Sequence, residues 1–252
     1  MKQVPKLHLL FLFSFFTAVS SAQKQSKLFV EAAAGLAVPT GNFANMVWNE
    51  NTPLSNAAGL AKTGFDISIA GGWQAKKNFS VMFAGGYSSH KQDAASFHNY
   101  LFNKYGNTTQ ASIVTESWKV FKMMAGPSFN TVLSKDGRFI FRAKILAGAS
   151  KTSIPGYKYQ YSFIDPISNL EHTGMANYTK LPLPWFFCWQ ASAGVKYKAS
   201  KNFYLFSEAG YFNASKNFHY KFFNPQTGGI FPDAKKINQS YISWYGGAGV
   251  EL

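Results

Sequence analysis

The sequence is poor in cysteine and in charged residues. Cys188 is the one cysteine, so no intramolecular disulfide can staple the fold. Charged residues make up 14% of the chain, whereas a soluble surface usually needs about a quarter. Aromatic residues, in contrast, reach 17%. This combination argues against a domain whose whole outer surface meets water.

Long apolar runs and helical periodicity are also missing. The longest apolar stretch, Leu7 to Val19, falls short of the ~20 residues of a membrane-spanning helix. No segment sustains the 3.6-residue period of an amphipathic helix, which argues against a helical domain. About 230 residues after this stretch suit a single domain.

Residues 1–22 have the three parts of a secretory signal. Lys2 and Lys6 give a positive start, an apolar stretch follows, and the small residues Ser20, Ser21 and Ala22 form a cleavage site. We therefore expect a signal peptide over 1–22 and a mature domain over 23–252. An uncleaved N-terminal anchor is the alternative.

The residue patterns of known enzyme sites are missing as well. After the signal, the histidines are isolated at positions 90, 98, 172 and 219, and no nucleophile-elbow or paired-histidine metal motif occurs. The glycine-rich end at 246–249 has no helix after it, so it is not a phosphate loop. We predict no catalytic residues, no metal site and no cofactor.

Basic residues outnumber acidic ones, but they are scattered. The signal carries two of the 25 basic and none of the 11 acidic residues, so the mature net charge is 23 − 11 = +12. Nucleic-acid binding would need basic residues clustered with exposed aromatics, and we exclude it. Lysines spread over turns and loops suit anionic membrane headgroups and lipopolysaccharide phosphates.

Eight segments alternate strictly between apolar and polar residues. This two-residue period is typical of strands with one apolar and one polar face. In the fourth segment the parity is ambiguous, and we favour Phe121, Met123, Ala125 and Phe129 as the outward side. The segments are Leu28–Val38, Gly64–Trp73, Phe79–Ser89, Ile113–Phe129, Phe139–Ala149, Trp185–Tyr197, Phe203–Tyr211 and Tyr241–Leu252.

The connections alternate between short and long. Residues 74–78, 130–138 and 198–202 are short turns, whereas the other connections are long and lie near 39–63, 90–112, 150–184 and 212–240. A β-sandwich shares the strand alternation, but the signal, the aromatic excess and this asymmetry favour a barrel. We predict an all-β fold: an eight-stranded antiparallel up-and-down transmembrane β-barrel with long extracellular loops and short periplasmic turns.

Nine charged residues fall on the predicted inner faces. Isolated burial of a charge costs several kcal/mol, so these residues should pair. Salt bridges that fill the interior are the structural reading, and a narrow polar path is the alternative. Because Glu31 and Glu251 lie on the two closing strands, we expect one of them to meet a cation or to be protonated. The predicted network comprises Glu31, Asp66, Glu116, Lys122, Arg142, Lys144, Lys196, Glu208 and Glu251.

Aromatic residues gather at the ends of the predicted strands. Trp and Tyr concentrate at both membrane–water interfaces of outer-membrane barrels. Chance clustering is the alternative in a chain with 25 phenylalanines. The predicted interface aromatics are Trp73, Tyr87, Trp118, Trp185, Tyr197, Tyr211 and Trp244.

Short motifs point to a known family. The run from Gly35 to Phe43, the run from Met124 to Ser128, the two Lys-Asn-Phe hairpins and a strand reaching the last residue resemble the outer membrane protein β-barrel domain family. These are the small OmpA-like eight-stranded barrels of Gram-negative bacteria. The resemblance covers about 24–252. It implies a monomer in the bacterial outer membrane, inserted by the barrel-assembly machinery and without a shared catalytic set. Leu252 departs from the aromatic that often ends such chains.

Three functions stay open at this point. The first is a structural or surface-binding barrel whose loops meet an unknown extracellular ligand. The second is a small porin or solute channel, and the third is a rim-located lipid-modifying enzyme. The aromatic stretches Ser96–Phe102 and Tyr157–Phe163 favour the first, although such stretches can also simply extend the strands as hairpins.

Overall fold

The computed structural model describes residues 27–44, 59–105, 108–164, 168–224 and 229–252. Within these ranges two helices accompany the strands: α1 (Gly41–Ala44) and α2 (Ala94–Tyr105). The strands are β1 (Lys27–Thr40), β2 (Gly64–Lys76), β3 (Phe79–Lys91), β4 (Thr108–Thr115), β5 (Ser117–Val132), β6 (Phe139–Ile154), β7 (Tyr157–Ile164), β8 (Glu171–Tyr178), β9 (Leu181–Pro182), β10 (Phe186–Lys198), β11 (Phe203–Asn224) and β12 (Gly229–Glu251).

Eight of these strands close into a barrel. Their order around the wall is β1, β2, β3, β5, β6, β10, β11 and β12, and every neighbouring pair is antiparallel. The last strand pairs with the first, Val30 opposite Val250, which removes both free edges. The prediction of an all-β, eight-stranded antiparallel barrel is confirmed.

The wall is apolar outside and polar inside. On β2, Ile67 and Ile69 are 45% and 68% exposed, whereas Asp66 between Phe65 and Ile67 is 3% exposed. Successive side chains of a strand point to opposite faces, so the two-residue period sorts them automatically. A soluble protein has the reverse arrangement, with apolar side chains inside and polar side chains outside. In the part of the chain described, no helix is long and apolar enough to cross a membrane.

The fourth predicted segment divides between two sheets. Residues up to Thr115 belong to β4, outside the barrel, and β5 starts at Ser117. Between them, the Glu116 N–H donates to the Gly156 carbonyl at 2.9 Å. Because the apolar–polar parity of this segment is ambiguous, the sequence does not reveal the change of partner. The outward side chosen for Phe121, Met123 and Phe129 is confirmed, since each is more than half exposed.

The three short turns and three of the long connections agree with the prediction, but the fourth long loop does not. Strands β11 and β12 continue to pair as far as Asn224 and Gly229, so the predicted loop 212–240 is mostly a hairpin. Backbone hydrogen bonds extend this hairpin, and they do not depend on the side chains. The turn-forming residues in this stretch had led us to predict a loop. Residues 1–26, which include the predicted signal, lie outside the described ranges.

A second, three-stranded sheet stands at the loop end of the barrel. Its order is β4, β7 and β8, and it combines two separate connections of the barrel. Tyr159 of β7 forms a small buried cluster with Leu60, which precedes β2, and with Phe97 of α2. The two aromatic stretches singled out in the sequence lie here, Ser96–Phe102 within α2 and Tyr157–Phe163 within β7.

Candidate functional site

Arg142 is the centre of the charged interior. Its guanidinium contacts the carboxylates of both Glu31, on β1, and Glu208, on β11. Lys144, two residues along β6, donates to Glu208 at 2.7 Å. All four side chains are at most 8% exposed, so the ions are held by one another and not by solvent.

Two further ion clusters lie on either side of Arg142. Lys122 donates to Asp66 at 2.6 Å and to the Tyr241 hydroxyl at 3.0 Å. Glu251 lies 3.5 Å from Lys196 and 3.3 Å from Lys198, which is partly exposed. We expected one of Glu31 and Glu251 to meet a cation, and both do.

Glu116 does not belong to this interior set, so its predicted role was wrong. Its side chain is exposed and lies between β4 and β5. The barrel strand β5 begins at Ser117, so Glu116 lies just before it and is not turned inward by the alternation of that strand. Without it, four buried acids face four buried bases, and Lys198 adds a cation at the turn end.

Inward aromatic residues complete the network, and the sequence reasoning missed them. The hydroxyls of Tyr204 and Tyr245 donate to Glu31 at 2.7 Å and to Glu208 at 3.0 Å. The Phe206 ring lies 4.6 Å from the Arg142 guanidinium, in cation–π geometry. The alternation along the strands could have predicted these inward positions. Tyr204 and Phe206 share a face with Glu208, and Tyr245 shares one with Glu251.

Two glycines of β12 make room for these rings. A Cβ atom on Gly249 would lie 2.4 Å from the Tyr204 ring, and one on Gly247 would lie 2.4 Å from Phe206. Any larger residue would therefore displace a ring from the ion cluster. The glycine-rich end of the chain serves close packing inside the barrel.

An aromatic cap, formed by Phe43, His90, Trp118 and Tyr241, fills the loop end of the interior. The Phe43 ring, carried by α1, lies 5.1 Å from His90 and 5.6 Å from Trp118. The Trp118 indole donates to the Gly59 carbonyl at 2.7 Å. Trp118 was predicted at the membrane interface, but its parity on β5 is that of inward Lys122, so that assignment was wrong.

The other predicted interface aromatics are on the outer wall or at its ends. Trp244 is 71% exposed and Trp185 47%. Tyr87 packs 4.8 Å from the exposed ring of Phe121. That this set marks the membrane boundary stays a prediction; its members are Trp73, Tyr87, Trp185, Tyr197, Tyr211 and Trp244.

The cavity beside the ion clusters is small. It is lined by residues that include Glu31, Asp66, Lys122 and Gln190, and it leaves about 20 Å³ for the centres of water molecules. That is room for about one water.

The three-stranded sheet carries a larger and open pocket of about 520 Å³. Its polar lining includes Ser112 on β4, Gln160 on β7, and Glu171 and Thr173 on β8. Ser112 donates to Gln160 at 3.4 Å, so the pocket spans two connections of the barrel. In the ranges described, no group of three or more histidine, cysteine or acidic side chains could hold a metal ion.

A closed wall with lipid-compatible side chains outside and paired ions inside decides the class. The chain is an eight-stranded outer-membrane β-barrel. No family model and no curated protein matches its sequence. The assignment therefore depends on the closed strand pairing and on the apolar outer and polar inner faces of the wall.

Several solved barrels are similar in outline. Neisserial surface protein A is 12% identical, with 91% of this chain and 100% of that chain covered and a TM-score of 0.45. The outer membrane protein OprG of Pseudomonas aeruginosa is 7% identical, with 91% and 97% covered and a TM-score of 0.46. A major outer membrane protein of Thermus thermophilus is 9% identical, with 90% and 99% covered and a TM-score of 0.48.

Proposed function

We propose that this outer-membrane barrel is a closed scaffold that presents a binding surface on its three-stranded sheet. The observation that carries the proposal is the pocket on that sheet. The sheet takes no part in closing the barrel, yet it combines strands from two connections, and its Tyr159 is buried against Leu60 and Phe97.

The interior supports the closed state through its ion pairs. An ion in transit would have to pass Arg142, which is bound to two carboxylates, and then the Lys122–Asp66 pair. Breaking such a buried pair leaves an uncompensated charge and is costly. Eight strands also leave an interior only about as wide as its own side chains.

The aromatic cap supports the same conclusion at the loop end. Phe43 and Tyr241 are at most 1% exposed, and Trp118 is 6% exposed. The Phe43 ring has no polar group, the Trp118 N–H is already bound to the Gly59 carbonyl, and the Tyr241 hydroxyl is already bound to Lys122. The cap therefore adds an aromatic barrier above the ion clusters.

The chemistry of the sheet pocket favours a hydroxyl-rich ligand without negative charge, because the Glu171 carboxylate also lines the pocket. Hydroxyl and amide groups from Ser112, Gln160 and Thr173 can both donate and accept hydrogen bonds. The Tyr161 ring and the exposed Met175 side chain add apolar contact. Polar groups beside an aromatic face match a saccharide better than an ion or an acyl chain.

Binding to immobilised glycans tests the proposed surface. Protein in lipid nanodiscs should be retained by one class of saccharide on an array of bacterial and host glycans. Gln160→Ala combined with Thr173→Ala should reduce retention about tenfold or more, since each lost hydrogen bond contributes roughly 1 kcal/mol. Thr131→Ala, an exposed change near the opposite end, is the matched control. Absence of retention, or equal loss in the control, would contradict the proposal.

Electrical recording tests the closed interior. We expect no large, stable conductance when the protein is inserted in planar bilayers, because the cavity beside the ion clusters leaves room for about one water. Phe43→Ala combined with Arg142→Ala should increase the leak, whereas the outward change Phe65→Ala should not. Passage of small sugars through wild-type protein in liposome swelling would instead support a porin.

A further inference from the structure

A second pocket lies on the outside of the barrel wall near its loop end. It encloses about 530 Å³ and is separate from the pocket on the three-stranded sheet. The exposed lysines Lys119, Lys151 and Lys180 line it together with apolar residues, with Thr152 and Ser153, and with Lys122, whose ammonium is bound to Asp66. The pocket lies where the exposed wall meets the loops.

Strand pairing brings the three lysines to a similar level along the barrel axis. Lys119 on β5 lies opposite Ser153 of β6, and Ser153 lies opposite Pro182 of β9. Lys151 is two residues from Ser153, and Lys180 directly precedes β9. Because the three lysines come from separate stretches of the chain, only the fold collects them.

The charge of this cluster is not neutralised by the protein. Across the described ranges, none of these three lysines forms an ion pair, and all three are exposed. Glu116, the acid nearest to Lys119 along the chain, forms no ion pair with these lysines. Three cations without an acidic partner attract an anion.

The floor of the pocket is apolar and continues into the lipid-facing wall. Phe121 and Met123 are 53% and 65% exposed, and Trp185 borders the pocket at 47% exposure. Met123 lies opposite Gly85 of β3, whose missing side chain leaves a depression in the wall. Below the lysines, therefore, the surface suits a hydrocarbon chain.

We propose that this pocket binds one anionic lipid of the outer leaflet. Lys119, Lys151 and Lys180 hold its phosphate, and Phe121 and Met123 receive the first part of an acyl chain. Phosphate alone would not use the apolar floor, and a neutral lipid would leave three cations unpaired. The site is independent of the surface proposed on the three-stranded sheet.

Native mass spectrometry of the detergent-solubilised protein tests the site, with diphosphorylated lipid A as the probe. We expect one retained lipid A, and weaker retention of the same lipid after its phosphates are removed. Changing all three lysines to glutamine should weaken retention about 100-fold, or roughly fivefold for each charge. The matched control changes Lys77, Lys135 and Lys201, exposed near the turn end, to glutamine.

Competition distinguishes the two possible sources of phosphate. Inorganic phosphate at millimolar concentration should leave lipid A bound, because it lacks the acyl chain. Displacement by inorganic phosphate would overturn the lipid as occupant. Equal retention by the two triple variants, each checked for folding by its gel mobility, would overturn the site.

Discussion

At the residue scale, the interior depends on one arginine that satisfies two carboxylates. Arg142 joins Glu31 and Glu208, which lie 177 positions apart in sequence and on strands that do not pair with each other. A planar guanidinium can contact two acids at once, whereas an ammonium is a single point charge. The Phe206 ring covers the guanidinium as well. This geometry makes Arg142 harder to replace than the lysines around it.

Arg142→Ala should destabilise the barrel by about 3–5 kcal/mol, because it leaves two buried carboxylates without their shared cation. Arg142→Lys should recover part of the loss. The control is Arg138→Ala in the turn before β6, whose exposed side chain should contribute at most about 1 kcal/mol. Urea-induced unfolding in lipid vesicles measures the differences. Equal stability of Arg142→Ala and Arg138→Ala would show that the buried ion cluster does not hold the wall together.

At the element scale, α2 is fixed to the barrel through its first turn. The Asp93 carboxylate accepts from the N–H groups of Ala95 and Ser96, at 3.2 and 3.4 Å, and so caps the helix. Lys62, which precedes β2, lies 3.0 Å from the same carboxylate. Burial alone would raise the pKa of Asp93, but hydrogen bonds from Lys62 and Ser96 outweigh it and lower the pKa below its ordinary value.

The lowered pKa of Asp93 predicts an acid-sensitive helix start. A folded pKa below the unfolded one means that the stabilisation is complete above the unfolded value and is lost as the pH falls through the folded value. Hydrogen-exchange protection of α2, corrected for intrinsic rates, should therefore fall between about pH 6 and about pH 2.5. Asp93→Ala should lower protection at the higher pH by about 1 kcal/mol and remove the pH dependence. A helix equally protected at both pH values in the wild type would contradict this.

At the scale of the whole molecule, closure of the wall is the main determinant of resistance to unfolding. Each of the eight strands pairs on both sides, so the barrel has no edge from which unfolding can start. Exposed apolar residues on the wall, such as Ile69 and Trp244, meet lipid or detergent, and the interior ions meet one another. The same arrangement would be unstable in water.

Unboiled protein should therefore migrate faster than boiled protein in detergent gels, because the closed barrel has a high unfolding barrier. The Asp93→Ala variant should keep this difference, since its change lies outside the wall. Identical mobility with and without boiling would contradict a closed, kinetically stable barrel.

The sequence alone determined the inner and outer faces of the barrel strands. The period of two is a local property of any strand, so Asp66, Arg142 and Glu208 could be placed inside, and Ile67 and Ile69 outside, without knowing any partner. The same parity applied to β11 and β12 would have found Tyr204 and Tyr245. Eight strands and their short turns were likewise readable from alternation and turn residues.

Only the tertiary structure decided which strands and side chains meet. Glu116 was misplaced because it precedes Ser117, where β5 begins, and the sequence does not show where that barrel strand starts. Trp118, in contrast, could have been placed inside from its parity with Lys122. The hairpin of β11 and β12 extends through backbone hydrogen bonds. Every sequence can form such bonds, so the residue pattern does not predict where the hairpin ends. The aromatic stretch in α2 and the grouping of Lys119, Lys151 and Lys180 depend on contacts between distant segments, and a local pattern carries no information about those contacts.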